Sequence, residues 1–253
     1  MSMIETRVHG LVHELRLARP PVNALDPALC GELVAAINAA VSNGAQGIVL
    51  AGAQKVFSAG LDVPYLLSLG DDHAALTAAW TAFFEAARTL ADCPVPVVAA
   101  MAGHAPAGGC VLALCCDYRI MAEGPFRIGL NETQVGLVAP EGIQRLLRRL
   151  VGVHRAGQLL IGGEMVAAER AHALGMVDEL VPLEQVDARA LAWMEQLLRL
   201  PRSPMLATRA IARADLHEAL APEHIQLERF VQAWYEADAQ AALTGLLARL
   251  GKG

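Results

Sequence analysis

The sequence predicts an α/β fold in which short buried strands alternate with helices. Two uncharged apolar runs, at residues 47–52 and 95–101, have the length of buried strands, and helical apolar stripes lie between them. A share of 55% apolar residues and a mean hydropathy of +0.38 provide for a large core in 253 residues. Strands that alternate with helices pair in parallel, so a mostly parallel sheet is expected.

The N-terminal part of the chain predicts a hairpin followed by a capped helix. Residues 11–17 partly alternate between apolar and polar side chains after His9-Gly10, which is typical of a β-hairpin. Asp26 predicts a helix start at Pro27, because aspartate accepts from free N–H groups and proline fits the first helical position. The apolar stripe of this helix consists of Leu29, Leu33, Ile37 and Val41.

The middle of the chain predicts two more helices and further strands. A helix is expected up to about residue 90, after the polar segment at residues 70–72. The uncharged stretch 94–116 is long enough to span a membrane, but its prolines and glycines would break a spanning helix. It therefore predicts a buried strand, a loop and then a helix over residues 110–116. Additional strands are expected at residues 126–128 and 176–181.

From about residue 183 the pattern is helical, and Pro201 and Pro204 mark a break. We divide the chain into a core, residues 1–195, and a C-terminal helical oligomerisation region, residues 196–253. Apolar side chains in this second region would stay exposed to solvent in a lone monomer, so they predict contacts between subunits. These side chains include Leu227, Phe230, Val231 and Trp234.

Composition and charge narrow the expected partners and compartment. The formal net charge is -6 and no run of Lys or Arg stands out, so no nucleic-acid partner is expected. The five cysteines contain no C-x-x-C pair, and no His, Asp or Glu cluster has metal-ligand spacing, so reduced thiols and no metal are predicted. Residues 1–10 lack the apolar core of a signal peptide, so the cytoplasm is expected, without a membrane partner.

Three short segments indicate the chemistry: FSAGLD at residues 57–62, PAGGC at residues 106–110 and NET at residues 131–133. The first two are small-residue turns between apolar runs, and each can leave a backbone N–H free to point at a ligand. The third supplies a carboxylate. Free N–H donors stabilise the charge of an enolate oxygen, and a carboxylate can move the α-proton. Together they predict a site that forms and quenches an enolate.

These segments resemble motifs of the crotonase family, also called the enoyl-CoA hydratase/isomerase superfamily. The strings PAGGC, CDYRI and GLNET occur in this order between residues 103 and 140, as in the mitochondrial-type Δ3,Δ2-enoyl-CoA isomerase branch, with FSAGLD upstream. The resemblance extends from about residue 22 to about residue 182 and is weaker in the tail. It implies a spiral of ββα units with a C-terminal helical part at a subunit interface, in a homotrimer or a dimer of trimers.

The resemblance also implies a role for the motif residues. The backbone N–H groups of Leu61 and Gly108 would form the oxyanion hole, and Glu132 would be the catalytic base. Small residues in these turns keep the backbone open to the ligand. The remaining substrate-binding set would consist of Ala24, Ser58, Ala59, Gly60, Ala107, Asn131 and Glu141.

Two positions bear on the type of reaction. The hydratases carry a second glutamate at the position of Val111, since adding water requires a water held by two carboxylates. An allylic shift needs only one base, so valine favours isomerisation. Glu141, within the string APEG at residues 139–142, resembles the catalytic element of the peroxisomal-type isomerases. It leaves open a two-carboxylate chemistry such as dienoyl isomerisation.

The resemblance therefore implies a Δ3,Δ2-enoyl-CoA isomerase that converts a 3-enoyl-CoA thioester to its trans-2-enoyl form. CoA would be part of the substrate, and no cofactor is expected. The same scaffold would also suit an enoyl-CoA hydratase, a dienoyl-CoA isomerase or a thioester hydrolase. A candidate of another class is a subunit that binds acyl-CoA without turnover. Fold alone does not decide among these.

Overall fold

A computed structural model describes residues 2–250 of the chain. Short strands alternate with helices, as the sequence predicts. The strands are β1 (Ile4–His9), β2 (Val12–Leu17), β3 (Gly47–Ala51), β4 (Lys55–Val56), β5 (Val97–Met101), β6 (Gly103–Pro106), β7 (Tyr118–Ala122), β8 (Arg127–Gly129), β9 (Val166–Ala167) and β10 (Glu179–Val181).

The α-helices fall into a core group and a C-terminal group, and two single turns of 3₁₀-helix span Glu132–Val135 and Leu183–Gln185. The core helices are α1 (Pro27–Ser42), α2 (Val63–Ser68), α3 (His73–Ala91), α4 (Gly108–Leu114), α5 (Glu141–Val151), α6 (Val153–Gly162), α7 (Ala168–Leu174) and α8 (Val186–Leu197). The C-terminal helices are α9 (Arg202–Ala212), α10 (Ala214–Ala219), α11 (Pro222–Ile225), α12 (Leu227–Trp234) and α13 (Ala237–Leu250).

Two sheets form the centre of the fold. The larger has the strand order β1-β2-β3-β5-β7-β10, and it is parallel except for the β1–β2 hairpin. The smaller has the order β4-β6-β8-β9. Successive strands alternate between the sheets: β3, β5 and β7 join the larger, and β4, β6 and β8 join the smaller. Each such pair leads into a helix, so the chain repeats a ββα unit and the predicted crotonase-like spiral is confirmed.

Local sequence signals explain several element boundaries. Asp26 is the N-cap of α1 and accepts a hydrogen bond of 2.8 Å from the N–H of Leu29. This bond satisfies one of the donors left free in the first turn of a helix. The predicted hairpin is present as β1 and β2. The predicted strand at residues 95–101 begins at Val97.

The sequence prediction missed β4, β6, β7 and β9. The first two are only two and four residues long, so they show no alternation that a pattern could detect. In β6, a Cβ on Gly103 would lie 2.0 Å from the carbonyl carbon of Lys55, so the pairing with β4 requires glycine there. Of the two predicted breakers, Pro201 precedes α9 whereas Pro204 lies inside its first turn.

The C-terminal helices are anchored to the core by an ion pair. Asp117, which precedes β7, accepts hydrogen bonds of 2.8 and 2.9 Å from Arg209 of α9. The same carboxylate accepts a bond of 2.7 Å from the N–H of Val97, and Arg213 lies 3.1 Å from it. A hydrogen-bonded charge pair of this kind fixes α9 in one register against the larger sheet.

Three of the four apolar side chains named for the C-terminal region are buried within the chain and Leu227 is half-buried, so the argument that they need a partner subunit is wrong. Phe230, Val231 and Trp234 are 6%, 4% and 2% exposed. Phe230 packs edge-on against Trp80 of α3, with ring centroids 4.4 Å apart. The trimer or dimer of trimers stays a prediction from the family resemblance. The division of the chain near residue 195 also stays a prediction, and it falls within α8. Within residues 2–250, no helix is long and apolar enough to cross a membrane.

Candidate active site

The two small-residue turns of the sequence analysis pack against each other. Gly60 has a φ of +81°, and a Cβ there would lie 3.1 Å from the backbone nitrogen of Gly108. A Cβ on Gly109 would lie only 2.4 Å from the carbonyl oxygen of Ser58. The turns can approach this closely only because Gly60 and Gly109 have no side chain at the contact.

This contact leaves two backbone donors available. Among the hydrogen bonds formed within residues 2–250, neither the N–H of Leu61 nor that of Gly108 takes part, whereas the N–H groups of Gly60, Asp62 and Ala107 do. The carbonyl of Gly60 accepts from Leu25 at 2.8 Å. Ala107, with a φ of +45°, makes the sharp turn that opens α4 at Gly108. The first N–H groups of a helix have no intrahelical partner.

Asn23 fixes the first turn, and the sequence analysis did not single it out. It is buried at a φ of +51°, and its Nδ2 donates to the carbonyl of Phe57 at 3.0 Å. Ser58 donates from its hydroxyl to the carbonyl of Asn23 at 2.8 Å and accepts from the N–H of Gly60 at 3.2 Å. A buried Asn in a left-handed conformation is a local device for holding a turn.

Arg19 links the segment around Ala24 to the turn that ends at Asp62. Its guanidinium lies 2.7 Å from Asp62 and 3.1 Å from Asp26, and it donates to the carbonyl of Ala24 at 2.8 Å. Asp62 also caps α2 by accepting from the N–H of Tyr65. Asp62 therefore has its charge partner and its hydrogen-bond donors, although it borders the cavity described next.

A cavity of about 590 Å³ lies beside the two free donors. Most of the predicted site residues border it: Ala24, Ala59, Leu61, Ala107, Gly108, Asn131 and Glu132. Ser58 and Gly60 do not border the cavity, but their hydrogen bonds support the turn that does. The structure does not bring Glu141 to the cavity. Apart from Arg19 and Asp62, the remaining wall is apolar and includes Val63, Leu66, Trp80, Phe83, Phe84, Phe230, Trp234, Leu243 and Leu246.

Glu132 lies at the start of the 3₁₀ turn Glu132–Val135. Its Oε2 is shielded from solvent and has no hydrogen-bond partner within residues 2–250. Burial disfavours the charged form, and it raises the pKa of this carboxyl group to about 7, against a small opposing effect of its own backbone N–H. Glu132 can therefore gain and lose a proton near neutral pH.

Val111 and Glu141, the two positions that bear on the reaction type, have different surroundings. Val111 is buried on α4 and borders the cavity with its isopropyl group. Glu141 opens α5 at the surface, where it accepts hydrogen bonds of 2.9 and 3.1 Å from Arg145 and lies 3.4 Å from His224. Arg145 holds the pKa of Glu141 below its usual range.

The sequence analysis missed the part of the cavity wall that comes from the C-terminal helices. It assigned Phe230 and Trp234 to a subunit interface, whereas both border the cavity across from α3. Their apolar spacing on α12 was detectable, but its partner was not, because helical periodicity does not tell what a face packs against. Within the described residues, no group of three or more His, Cys, Asp or Glu side chains could hold a metal ion.

The fold and this site define the class of protein: two sheets built from ββα units, with free N–H donors and a buried carboxylate at one cavity. The sequence also matches the family model for enoyl-CoA hydratase/isomerase over residues 7–249. The chain belongs to this family, which is the crotonase family of the sequence analysis.

Several known proteins are similar to the chain over most of its length. The human mitochondrial enoyl-CoA delta isomerase 1 is 32% identical over 252 residues, which cover 98% of this chain and 83% of that protein. The crystal structure of the human mitochondrial Δ3,Δ2-enoyl-CoA isomerase matches with a TM-score of 0.93, covering 99% of each chain. A probable enoyl-CoA hydratase of Mycobacterium tuberculosis is 34% identical over 217 residues, or 85% of this chain and 81% of that protein.

Proposed function

We propose that this protein is a Δ3,Δ2-enoyl-CoA isomerase, an enzyme that moves the double bond of a 3-enoyl-CoA to the trans-2 position. One observation carries the proposal. Among the described residues that border the cavity, Glu132 is the carboxylate without a charge partner, and Val111 nearby adds no second one. A reaction with one proton-transferring group suits this arrangement.

The two free N–H groups would stabilise the intermediate. When the proton at C2 leaves, negative charge moves onto the thioester oxygen. Donation by Leu61 and Gly108 to that oxygen lowers the energy of the enolate, and each such donor contributes about 10²–10³-fold in rate. Because Asn23 and Ser58 hold the turn that carries Leu61, and Gly108 is the first residue of α4, the donors need no rearrangement when the charge develops.

Glu132 would carry the proton from one carbon to the other. Its carboxylate takes the proton from C2, the C2–C3 bond becomes double, and the C3–C4 double bond becomes single. The protonated Glu132 then delivers the same proton to C4, so atoms and charge balance. A carboxyl group with a pKa of about 7 is suited to both steps near neutral pH.

An enoyl-CoA hydratase is the second candidate, and the 34% identity to a probable hydratase favours it. Hydration needs a water that is oriented and split, and two carboxylates do this well. The apolar wall at Val111 offers no such partner for Glu132. For this reason we place isomerisation first.

Dienoyl isomerisation, thioester hydrolysis and binding without turnover receive less support. A two-carboxylate dienoyl isomerisation would need Glu141 at the cavity, but its carboxylate is paired with Arg145 at the surface. A thioester hydrolase would again need a bound water beside Glu132. A subunit that only binds acyl-CoA has no use for a carboxylate whose pKa is raised to about 7. CoA is here a carrier on the substrate, so the proposed reaction needs no cofactor.

The direct test is product analysis. The protein is incubated separately with 3-hexenoyl-CoA and trans-2-hexenoyl-CoA, and products are followed by mass and ultraviolet absorbance. An isomerase conjugates the 3-enoyl substrate with no gain in mass. Addition of one water to the 2-enoyl substrate, at a rate equal to or above isomerisation, would favour the hydratase instead.

A further inference from the structure

The turn that carries Glu132 ends against the last helix of the chain. Gly136 terminates this turn in a left-handed conformation, with a φ of +75°. A Cβ on Gly136 would lie 2.6 Å from the Cα of Ala239 and 2.9 Å from the carbonyl oxygen of Asp238, both in the first turn of α13. The backbones are in direct contact, so the turn and α13 cannot shift independently.

The turn also contacts α6. Thr133 donates from its hydroxyl to the carbonyl of Leu160 at 3.1 Å. A Cβ on Gly163, which ends α6, would lie 2.5 Å from the Thr133 hydroxyl oxygen. The turn therefore contacts two helices, with a glycine at each contact.

The helix α13 also borders the same cavity as Glu132. Leu243 is fully buried, and Leu246 follows one turn later along the helix. Val135, inside the turn, borders the cavity beside them. A displacement of α13 would thus move Glu132 and admit water to its carboxylate.

We propose that Gly136 and Ala239 form a positioning contact, through which α13 sets the location of the Glu132 carboxylate in the cavity. The catalytic consequence rests on the proposed function, whereas the effect on the Glu132 carboxylate itself does not. Gly136 has two requirements, because it must adopt a left-handed conformation and must also lack a Cβ. Only the second requirement concerns Glu132.

The other titratable groups near Glu132 leave burial as the main influence on its pKa. Asp62 borders the cavity but is paired with Arg19. The Cys110 thiol of α4 lies near Glu132, and burial raises its pKa so that it stays neutral. Asp238, at the contact itself, has its side chain at the surface. A change in the titration of Glu132 therefore reports how well α13 excludes water.

A matched pair of variants separates the two requirements of Gly136. Gly175 ends α7 at a φ of +81° and ψ of 11°, close to the +75° and 14° of Gly136. A Cβ on Gly175 meets nothing closer than 3.5 Å. Gly136→Ala and Gly175→Ala thus carry the same conformational cost, but only Gly136→Ala pushes α13 away.

The readout is the titration of the Glu132 carboxyl carbon, followed by carbon-13 NMR in protein labelled at glutamate and assigned by difference from Glu132→Gln. We expect Gly136→Ala to lower the pKa of Glu132 from about 7 toward its ordinary range, and Gly175→Ala to leave it unchanged. With 3-hexenoyl-CoA, kcat should fall between about tenfold and about 10²-fold in Gly136→Ala alone, with a smaller change in KM.

Folding is monitored by circular dichroism and thermal melts. Asparagine adopts the left-handed conformation more readily than alanine, so Gly136→Asn and Gly175→Asn repeat the comparison at lower conformational cost. A folded Gly136 variant whose Glu132 titrates as in the unmodified protein would overturn the positioning contact. The proposal would also be overturned if Gly136→Asn did not fold while Gly175→Asn did, because the contact would then serve folding. If titration shifts but no variant or parent isomerises 3-hexenoyl-CoA, the contact stands and the proposed function fails.

Discussion

Two carboxylates nine positions apart in the sequence have opposite surroundings. Glu132 borders an apolar cavity with no charge partner for its Oε2 in the described structure, and burial raises its pKa to about 7. Glu141 lies at the surface beside Arg145 and His224, and its pKa is lowered. The sequence offered both as candidates for the active site.

The difference teaches which property selects a catalytic base. An arginine partner lowers the pKa of a carboxyl group, so the group stays ionised at neutral pH. A carboxyl group without a partner in an apolar wall has a raised pKa, so it can exchange its proton near neutral pH. Motif position alone does not distinguish the two. The contacts of each side chain do, and each of the following predictions tests that distinction.

The largest effect is expected when the two glutamates are changed separately to glutamine. Glu132→Gln keeps the shape and removes the basicity, so kcat on 3-hexenoyl-CoA should fall by about 10²–10⁴-fold. Glu141→Gln is the matched control, and its kcat should stay within about a factor of two, as for most surface substitutions. A dead Glu141→Gln with an active Glu132→Gln would reverse the assignment.

The next effect concerns the oxyanion hole beside Glu132. Gly108→Pro removes one N–H at the first position of α4, where proline is compatible with a helix. Its kcat should fall by about 10²–10³-fold, while circular dichroism reports a folded protein. Gly108→Ala is the control that retains the N–H, with a Cβ 3.1 Å from Leu25 and Phe83 side-chain atoms. Near-normal turnover by a folded proline variant would remove Gly108 from the mechanism.

The raised pKa of Glu132 also predicts how stability depends on pH. The native state keeps the Glu132 proton up to about pH 7, whereas the unfolded chain releases it near its ordinary value of 4.5. The contribution of Glu132 to stability is therefore largest below the unfolded pKa, and it falls as pH rises through this window. Glu132→Gln removes the effect, so it should be more stable than the parent at pH 8, by up to about 3 kcal/mol.

Urea unfolding at pH 8 and at pH 4 measures this difference. The two proteins should differ at pH 8 and converge at pH 4, where Glu132 is protonated in both states. An equal difference at both pH values would mean that Glu132 is not buried as a neutral acid. Glu141→Gln serves again as the control, and it should lack a stabilising effect at pH 8.

The smallest effect is expected at the surface pair. Arg145→Ala removes the main charge partner of Glu141 and should return the pKa of Glu141 toward its ordinary value. Because Glu141 takes no part in the proposed reaction, kcat should change by about twofold or less. The variant is assayed with 3-hexenoyl-CoA beside Glu141→Gln. A loss of tenfold or more in both would connect this surface pair with turnover.

The sequence predicted the fold class because its signals were local. Asp26-Pro27 is a helix-start signal that needs no distant partner, and an apolar run of strand length predicts a buried segment from its own composition. The short strands β4 and β6 were not predicted, because their pairing depends on a close approach between Gly103 and Lys55. Such an approach joins segments that are distant in the sequence, and no local pattern records it.

The candidate site was predictable in its motif residues and not in its walls. The strings around Gly60, Gly108 and Glu132 identified which turns would meet, since each carries small residues or a carboxylate at a loop. The burial of Phe230 against Trp80 required the path of the C-terminal helices, which periodicity leaves open. Because the path of these helices was unknown, the argument from their apolar side chains to subunit contacts was wrong.

Direct observation of the proton's path tests the central claim most closely. The substrate is 3-hexenoyl-CoA carrying deuterium at C2, turned over in ordinary water, with the position of the label in the product determined by mass fragmentation. If the shielded Glu132 carboxyl group takes the deuteron from C2 and delivers it to C4, part of the product carries deuterium at C4. Product that never carries deuterium at C4, even after a single turnover, would contradict transfer by this one glutamate.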